Sequence, residues 1–189
     1  MSTADAAQAT RRAVVVPPVP ALLPEHASLT DPVGALRSAC REAVELLVSG
    51  APERVVLLAD PDDPWARRVA EVLLAKAGHR GQVTPEPVGA TDAVLVMANG
   101  SARRGEESPG GADDRAPEFD DRVEKALVGC DGVGLQSLDA DLGDALLASG
   151  ARPLQQLGSL LERGSWSARL LYSGDPFGVQ YWVATLAGG

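Results

Sequence analysis

Residues 93–104 read A-V-L-V-M-A-N-G-S-A-R-R. The apolar run stops abruptly at small and polar residues, and a bounded run of this length reads as a buried strand. Asn99, Gly100 and Ser101 follow, and then Arg103 and Arg104, so the strand empties into a turn loaded with hydrogen-bond donors. In an open α/β sheet, ligands bind just beyond the carboxyl ends of the strands. This turn is therefore the first candidate site. Gly100 permits close backbone approach, Ser101 supplies a hydroxyl, and arginine grips a carboxylate or phosphate bidentately. A small anionic molecule is the ligand this chemistry suits. The plainer account is a turn whose arginines pair with Glu106, Glu107 or Asp113. The spacing of a phosphate-binding P-loop is absent.

Working outward, residues 12–16 (R-A-V-V-V) form a first β-branched strand that stops at Pro17 and Pro18, which cannot continue a ladder. Thr30 or Asp31 is placed to cap the next helix, with Pro32 in its first turn. Val33, Leu36, Cys40, Val44, Leu47 and Val48 then keep helical spacing up to Gly50. Residues 54–59 are a second buried strand. Asp60, Asp62 and Asp63 crowd its exit, and Asp63-Pro64 signals a helix start. Trp65, Val69, Val72, Leu73 and Lys76 line one side of that second helix, which ends at Gly78. Residues 83–88, interrupted by proline, are an edge strand or a connector.

Residues 101–117, rich in glycine, proline and charge, form a long loop expected to order poorly without a ligand. Phe119, Val123, Ala126 and Leu127 define a third helix. Leu138, Leu142, Ala145 and Leu146 define a fourth, with Asp139 or Asp141 at its start. Leu154, Leu157, Leu160 and Leu161 define a fifth. Residues 165–172 and 179–186, aromatic and β-branched, flank G-D-P-F-G and read as a hairpin. The expected fold is α/β: a mainly parallel central sheet with helices on both faces and a C-terminal hairpin adding antiparallel edge strands. Residues 1–10 are expected to be a flexible tail and residues 11–189 a single domain.

The bulk properties narrow the function. The 189-residue chain is 45% hydrophobic and 23% charged, as globular domains are. A net charge of −9 argues against a nucleic-acid partner, and 4% aromatic content leaves little for base stacking. No apolar run is long enough to span a bilayer. Arg11-Arg12 mimics an export signal, but Pro17, Pro18 and Pro20 break the apolar run and no cleavage site follows. Cys40 and Cys130 read as small buried hydrophobes in a reducing cytoplasm. The acidic run Asp113, Asp114, Glu118, Asp120 and Asp121 reads as a solvated face at a helix start. Trp166, Tyr172, Tyr181 and Trp182 suit core packing, and a hairpin at a sheet edge also offers a homodimer interface.

The loop N-G-S-A-R-R, the later E-F-D at a helix start, P-P-V-P-A-L-L-P-E at 17–25, A-R-L-L-Y at 168–172 and P-F-G-V-Q-Y at 176–181 together resemble a group of actinobacterial proteins similar to the LigB-like family of class III extradiol ring-cleavage dioxygenases. The resemblance covers nearly the whole chain. It implies a ferrous iron held by two histidines and a carboxylate, with positions left open for catecholate and oxygen. The family's P-H-P-P carries the first ligand where this chain has Pro18, and its G-D-G-S becomes Ala98-Asn99-Gly100-Ser101. Only His26 and His79 exist, and the strand-helix order sets them at opposite edges of the sheet. The expectation is a candidate pocket of Pro18, Asp60, Asn99, Gly100, Ser101, Arg103 and Arg104 without a cofactor, in a non-catalytic binder of a small molecule or a partner. The alternative is an enzyme that keeps Fe(II), or one that uses strand-end aspartates, with Asp60, Asp62 and His26 as metal ligands. For the aspartates the plainer account is helix capping.

Overall fold

A computed structural model describes residues 11–26, 31–85 and 93–189. The described residues form one six-stranded sheet in the order β3-β2-β4-β1-β6-β5. β1 (Arg11–Val16), β2 (Arg54–Leu58), β3 (Gln82–Thr84) and β4 (Ala93–Met97) run parallel. β6 (Tyr181–Gly188) pairs antiparallel with β1, and β5 (Trp166–Gly174) closes the hairpin as the edge strand. The chain is therefore α/β, mainly parallel with an antiparallel hairpin, as the strand pattern predicts.

Side chains alternate across a strand with period two, so each central strand feeds two cores. Val14, Val16, Leu95 and Met97 meet α1 (Gly34–Val48) and α2 (Ala66–Lys76). Ala13, Val15, Val94 and Val96 meet the other layer: α3 (Ala116–Val128), α4 (Gly132–Gln136), α5 (Ala140–Ala145) and α6 (Ala151–Leu161). Every residue of β4 is buried, as its unbroken apolar run requires.

The helices differ from the sequence reading in three places. α2 buries Ala66, Val69, Ala70, Leu73 and Leu74, while Trp65 precedes the helix and stays 40% exposed. Ala66, Val69 and Ala70, at i, i+3 and i+4, rather than the tryptophan, begin its buried stripe. The expected fourth helix is α5, capped by Asp139, which accepts from Leu142 N at 3.0 Å, and a short helix absent from the sequence reading, α4, precedes it, capped by Asp131, which accepts from Gly134 N at 2.8 Å. α4 then packs on α6 through Gly132 and Gly158: a Cβ on Gly158 would lie 2.6 Å from the Gly132 carbonyl. The third difference is at the first helix, which begins at Gly34, after Asp31 has accepted from Val33 N at 3.2 Å. The tail expected over residues 1–10, Thr30 and the end of segment 83–88 lie outside the described residues.

Candidate functional site

The carboxyl ends of β1, β2 and β4 share one edge, because the three strands are parallel and in register. Pro18, Asp60 and Asn99, which follow them, are therefore on that edge. The chain leaves β2 for α2 on one face and leaves β4 for α3 on the other. Departures to opposite faces leave a crevice at the strand ends, where open α/β sheets take ligands.

The exit of β4 is filled by protein. Ser101 is fully buried, its amide donates to Asp120 Oδ1 at 2.8 Å and its hydroxyl to Oδ2 at 2.8 Å. Arg104 Nη1 donates to the same Oδ2 at 2.8 Å, and its Nε to Asp175 in the hairpin turn at 3.1 Å. Gly100 N donates to Gln180 O at 2.7 Å, and Gln180 N returns to Ser101 O at 3.0 Å. A Cβ on Gly100 would fall 2.5 Å from Asp120 Oδ1 and 2.6 Å from the Trp182 ring. Arg103 approaches Asp113 at 4.0 Å.

The long loop over residues 101–117 is tied to the domain by Ala102 N to Leu146 O and folded on itself by Gly110 N to Ala102 O and Asp113 N to Arg103 O. Within it Arg103 and Arg115 both face Asp113, and Arg115 holds the Asp113 carboxyl well below the usual carboxylate range.

Asp120 is not part of a solvated face. It is 2% exposed, on the same buried stripe of α3 as Ala116, Val123 and Leu127. Burial raises its carboxyl above the ordinary aspartate range, against the lowering effect of Ser101 and Arg104. The helical spacing of 116, 120, 123 and 127 is the signal that marks it as inward-facing.

The exit of β2 stays open. A cleft of about 520 Å³ lies over it, within the range of small-molecule sites. Asp60, Asp62, Asp63, Asp144, Arg152 and Trp65 line it, and of the sequence candidates for the pocket only Asp60 does so. Asp63 caps α2, its Oδ1 accepting from Trp65 N at 2.8 Å and Ala66 N at 3.1 Å, while its Oδ2 accepts from Ser149 Oγ at 2.5 Å. Asp60 accepts from Asp62 N at 3.0 Å and Arg152 at 3.4 Å. Arg152 is bidentate on Asp144 at 3.1 and 2.8 Å. Asn99 touches this region through its backbone amide, which donates to Ser149 O at 3.2 Å. Pro18 is buried. Trp65, Ser149 and Arg152 carry no motif, and only the fold brings them together.

The residues present do not fit a two-histidine iron centre. The exposed His26 ring sits edge-on to Trp65, centroids 6.3 Å apart, just before α2. His79 lies past the other end of that helix, its Nε2 3.4 Å from Gln82 O, where β3 begins. The eleven residues of α2 rise about 16 Å, so no single ion reaches both rings. Among the described residues, no group of three or more His, Cys, Asp or Glu is placed to hold a metal. Cys40 is buried and its thiol is pushed up to about 12 by that burial; both cysteines are free. No helix among the described residues is long and apolar enough to cross a membrane.

No protein-family model matches this chain, and no curated protein matches it significantly.

Proposed function

We propose that this chain is a non-catalytic small-molecule-binding protein of the LigB-like, class III extradiol dioxygenase type, acting in the cytoplasm and taking its ligand in the cleft over β2. The observation that carries the reading is that cleft, open at the strand edge where the neighbouring exit of β4 is filled. The separation of His26 from His79 and the presence of Pro18 after β1 support the absence of ring-cleaving iron chemistry.

The lining speaks to the ligand. Four carboxylates face one guanidinium that is already paired with Asp144 and Asp60. A cation or a neutral polar molecule suits this field better than an anion, and the exposed Trp65 adds an aromatic face for a cation. An aspartate-bound metal has less support, since Asp60 and Asp63 already accept hydrogen bonds on both oxygens.

Two measurements test the proposal. Protein purified anaerobically is expected to hold less than stoichiometric iron and to show no oxygen uptake on catechol; stoichiometric iron with catechol-dependent uptake would overturn it. Fluorescence titration reads the cleft through Trp65, with Trp65→Phe as the blank. Putrescine is expected to bind more tightly than catechol, and catechol more tightly than succinate. The reverse order would remove the cleft from the reading.

A further inference from the structure

A second recess lies away from the strand ends, between α1 and α2, with a volume of about 220 Å³. Its apolar wall is Leu22, Leu73 and Ala77, of which Leu22 is 1% exposed. Its polar rim is Arg37, Arg41 and Lys76, and no carboxylate among the described residues lines it. In a chain with 26 acidic residues against 17 basic ones, two cations, Arg41 and Lys76, lining one recess without an ion pair among the described residues are a departure from the average surface. We propose that this recess binds a small monocarboxylate with an apolar body, its carboxylate held by Arg41 and Lys76 and its carbon chain against Leu22 and Leu73.

The three cations play different parts. Arg37 is already engaged: it donates to Ala21 O at 2.8 Å and Leu22 O at 3.2 Å and pairs with Asp31 at 3.0 Å. It fixes the short 3-10 turn Pro20–Leu22 on α1 and so sets the apolar wall. Arg41 and Lys76 have no ion pair among the described residues, and both side chains are exposed. They come from different helices, so an anion between them gains two cations at no cost of breaking an existing pair. The apolar wall excludes a bare phosphate or sulfate as the best ligand, because its surface then stays wet. The volume sets the size: a cavity of about 150 Å³ takes benzene, so this one takes a body of about six carbons.

The site is independent of the cleft over β2, and its test does not read Trp65. Calorimetry of the full chain would use hexanoate, acetate, hexylammonium and inorganic phosphate as probes. Hexanoate is expected to bind at one per chain and roughly tenfold or more tighter than acetate, since the added methylenes are buried. Hexylammonium and phosphate are expected to bind at least roughly tenfold more weakly than hexanoate. The double variant Arg41→Glu with Lys76→Glu is expected to lose hexanoate binding by roughly tenfold or more. Its melting temperature should be unchanged, because neither side chain is buried. The double variant Arg41→Lys with Lys76→Arg should retain binding. Absence of hexanoate binding would overturn the proposal. So would equal affinity in the charge-reversed protein, or hexylammonium or phosphate binding as tightly as hexanoate.

Discussion

β2 and β4 are hydrogen-bonded neighbours, both short, apolar and buried, and both empty into a polar turn on the same edge of the sheet. After β4 the chain turns inward: Ser101 is buried, and Arg104 spans from α3 to the hairpin turn. After β2 it turns back on itself, Asp60 and Asp63 closing the turn with local amides and leaving a cleft outside. The difference lies in what arrives from elsewhere. α3 delivers a buried carboxylate to one exit, whereas Ser149 and Arg152 reach the other only at the wall of an open cleft. A strand end rich in donors is thus as consistent with an internal junction as with a ligand site, and the location of the complementary acceptor decides.

The sharpest way to break this comparison is to remove that acceptor. Asp120→Ala leaves the Ser101 amide and hydroxyl unsatisfied in the core and deprives Arg104 of its buried partner. Loss of one member of a buried pair costs about 3 kcal/mol, which corresponds to a fall of about 6–12 °C in melting temperature for a domain of this size. Scanning calorimetry checks it, and putrescine binding in the cleft should be retained. Acidity provides a second reading. Asp120 has a folded-state pKa raised above its unfolded value, so the proton-linked part of its contribution is full below the ordinary aspartate range and is lost as pH rises through the raised folded value. Asp120→Asn should flatten that decline. A melting temperature insensitive to Asp120→Ala would mean that the β4 exit is not held shut by this carboxylate.

The same comparison marks how far the sequence carries. The two exits, the strands before them and the hairpin follow from local pattern: bounded apolar runs, proline stops and helix caps. Within the described residues the alternation of strand and helix also suffices to send His26 and His79 to opposite ends of α2. Pairing partners do not follow from local pattern. Arg104 meets Asp120 and Asp175 rather than Glu106 or Glu107, because sequence distance says nothing of a contact made by a helix and a hairpin turn that return later. The open cleft was half legible. Asp60 is visible at its strand end, but Ser149 and Arg152 belong to a helix start whose approach to the sheet edge depends on Gly150, where a Cβ would lie 2.6 Å from that of Ala98, just past β4.

A smaller effect is expected at the open exit. Asp63→Ala removes the cap of α2 and the acceptor of the Ser149 hydroxyl, at a cost of about 1–2 kcal/mol in denaturant midpoint measurements. The turn remains solvated, so the orphaned groups recover hydrogen bonds from water, and the loss stays below that of Asp120→Ala. A larger loss than at Asp120 would reverse the comparison and make the β2 exit the structural one.

The smallest effect on stability belongs to Arg152, and it sharpens the contrast most directly, because it alters the same kind of pair in the opposite setting. Arg104 and Asp120 are 26% and 2% exposed, whereas Arg152 and Asp144 are 47% and 53% exposed. A solvated pair contributes about 0–1 kcal/mol, since water and salt screen it and both side chains give up rotamer freedom to make it. Arg152→Ala should therefore leave the melting temperature nearly unchanged. It also removes the only cation lining the cleft among the described residues, leaving four carboxylates uncompensated. The affinity for putrescine should then rise by roughly twofold to fivefold, the equivalent of the same fraction of a kcal/mol to one kcal/mol, and the gain should shrink as salt is added. Titration of the variant at low and high ionic strength reads both. A fall in affinity would show instead that Arg152 acts by holding Asp60 and Asp144 in the arrangement that binds the cation.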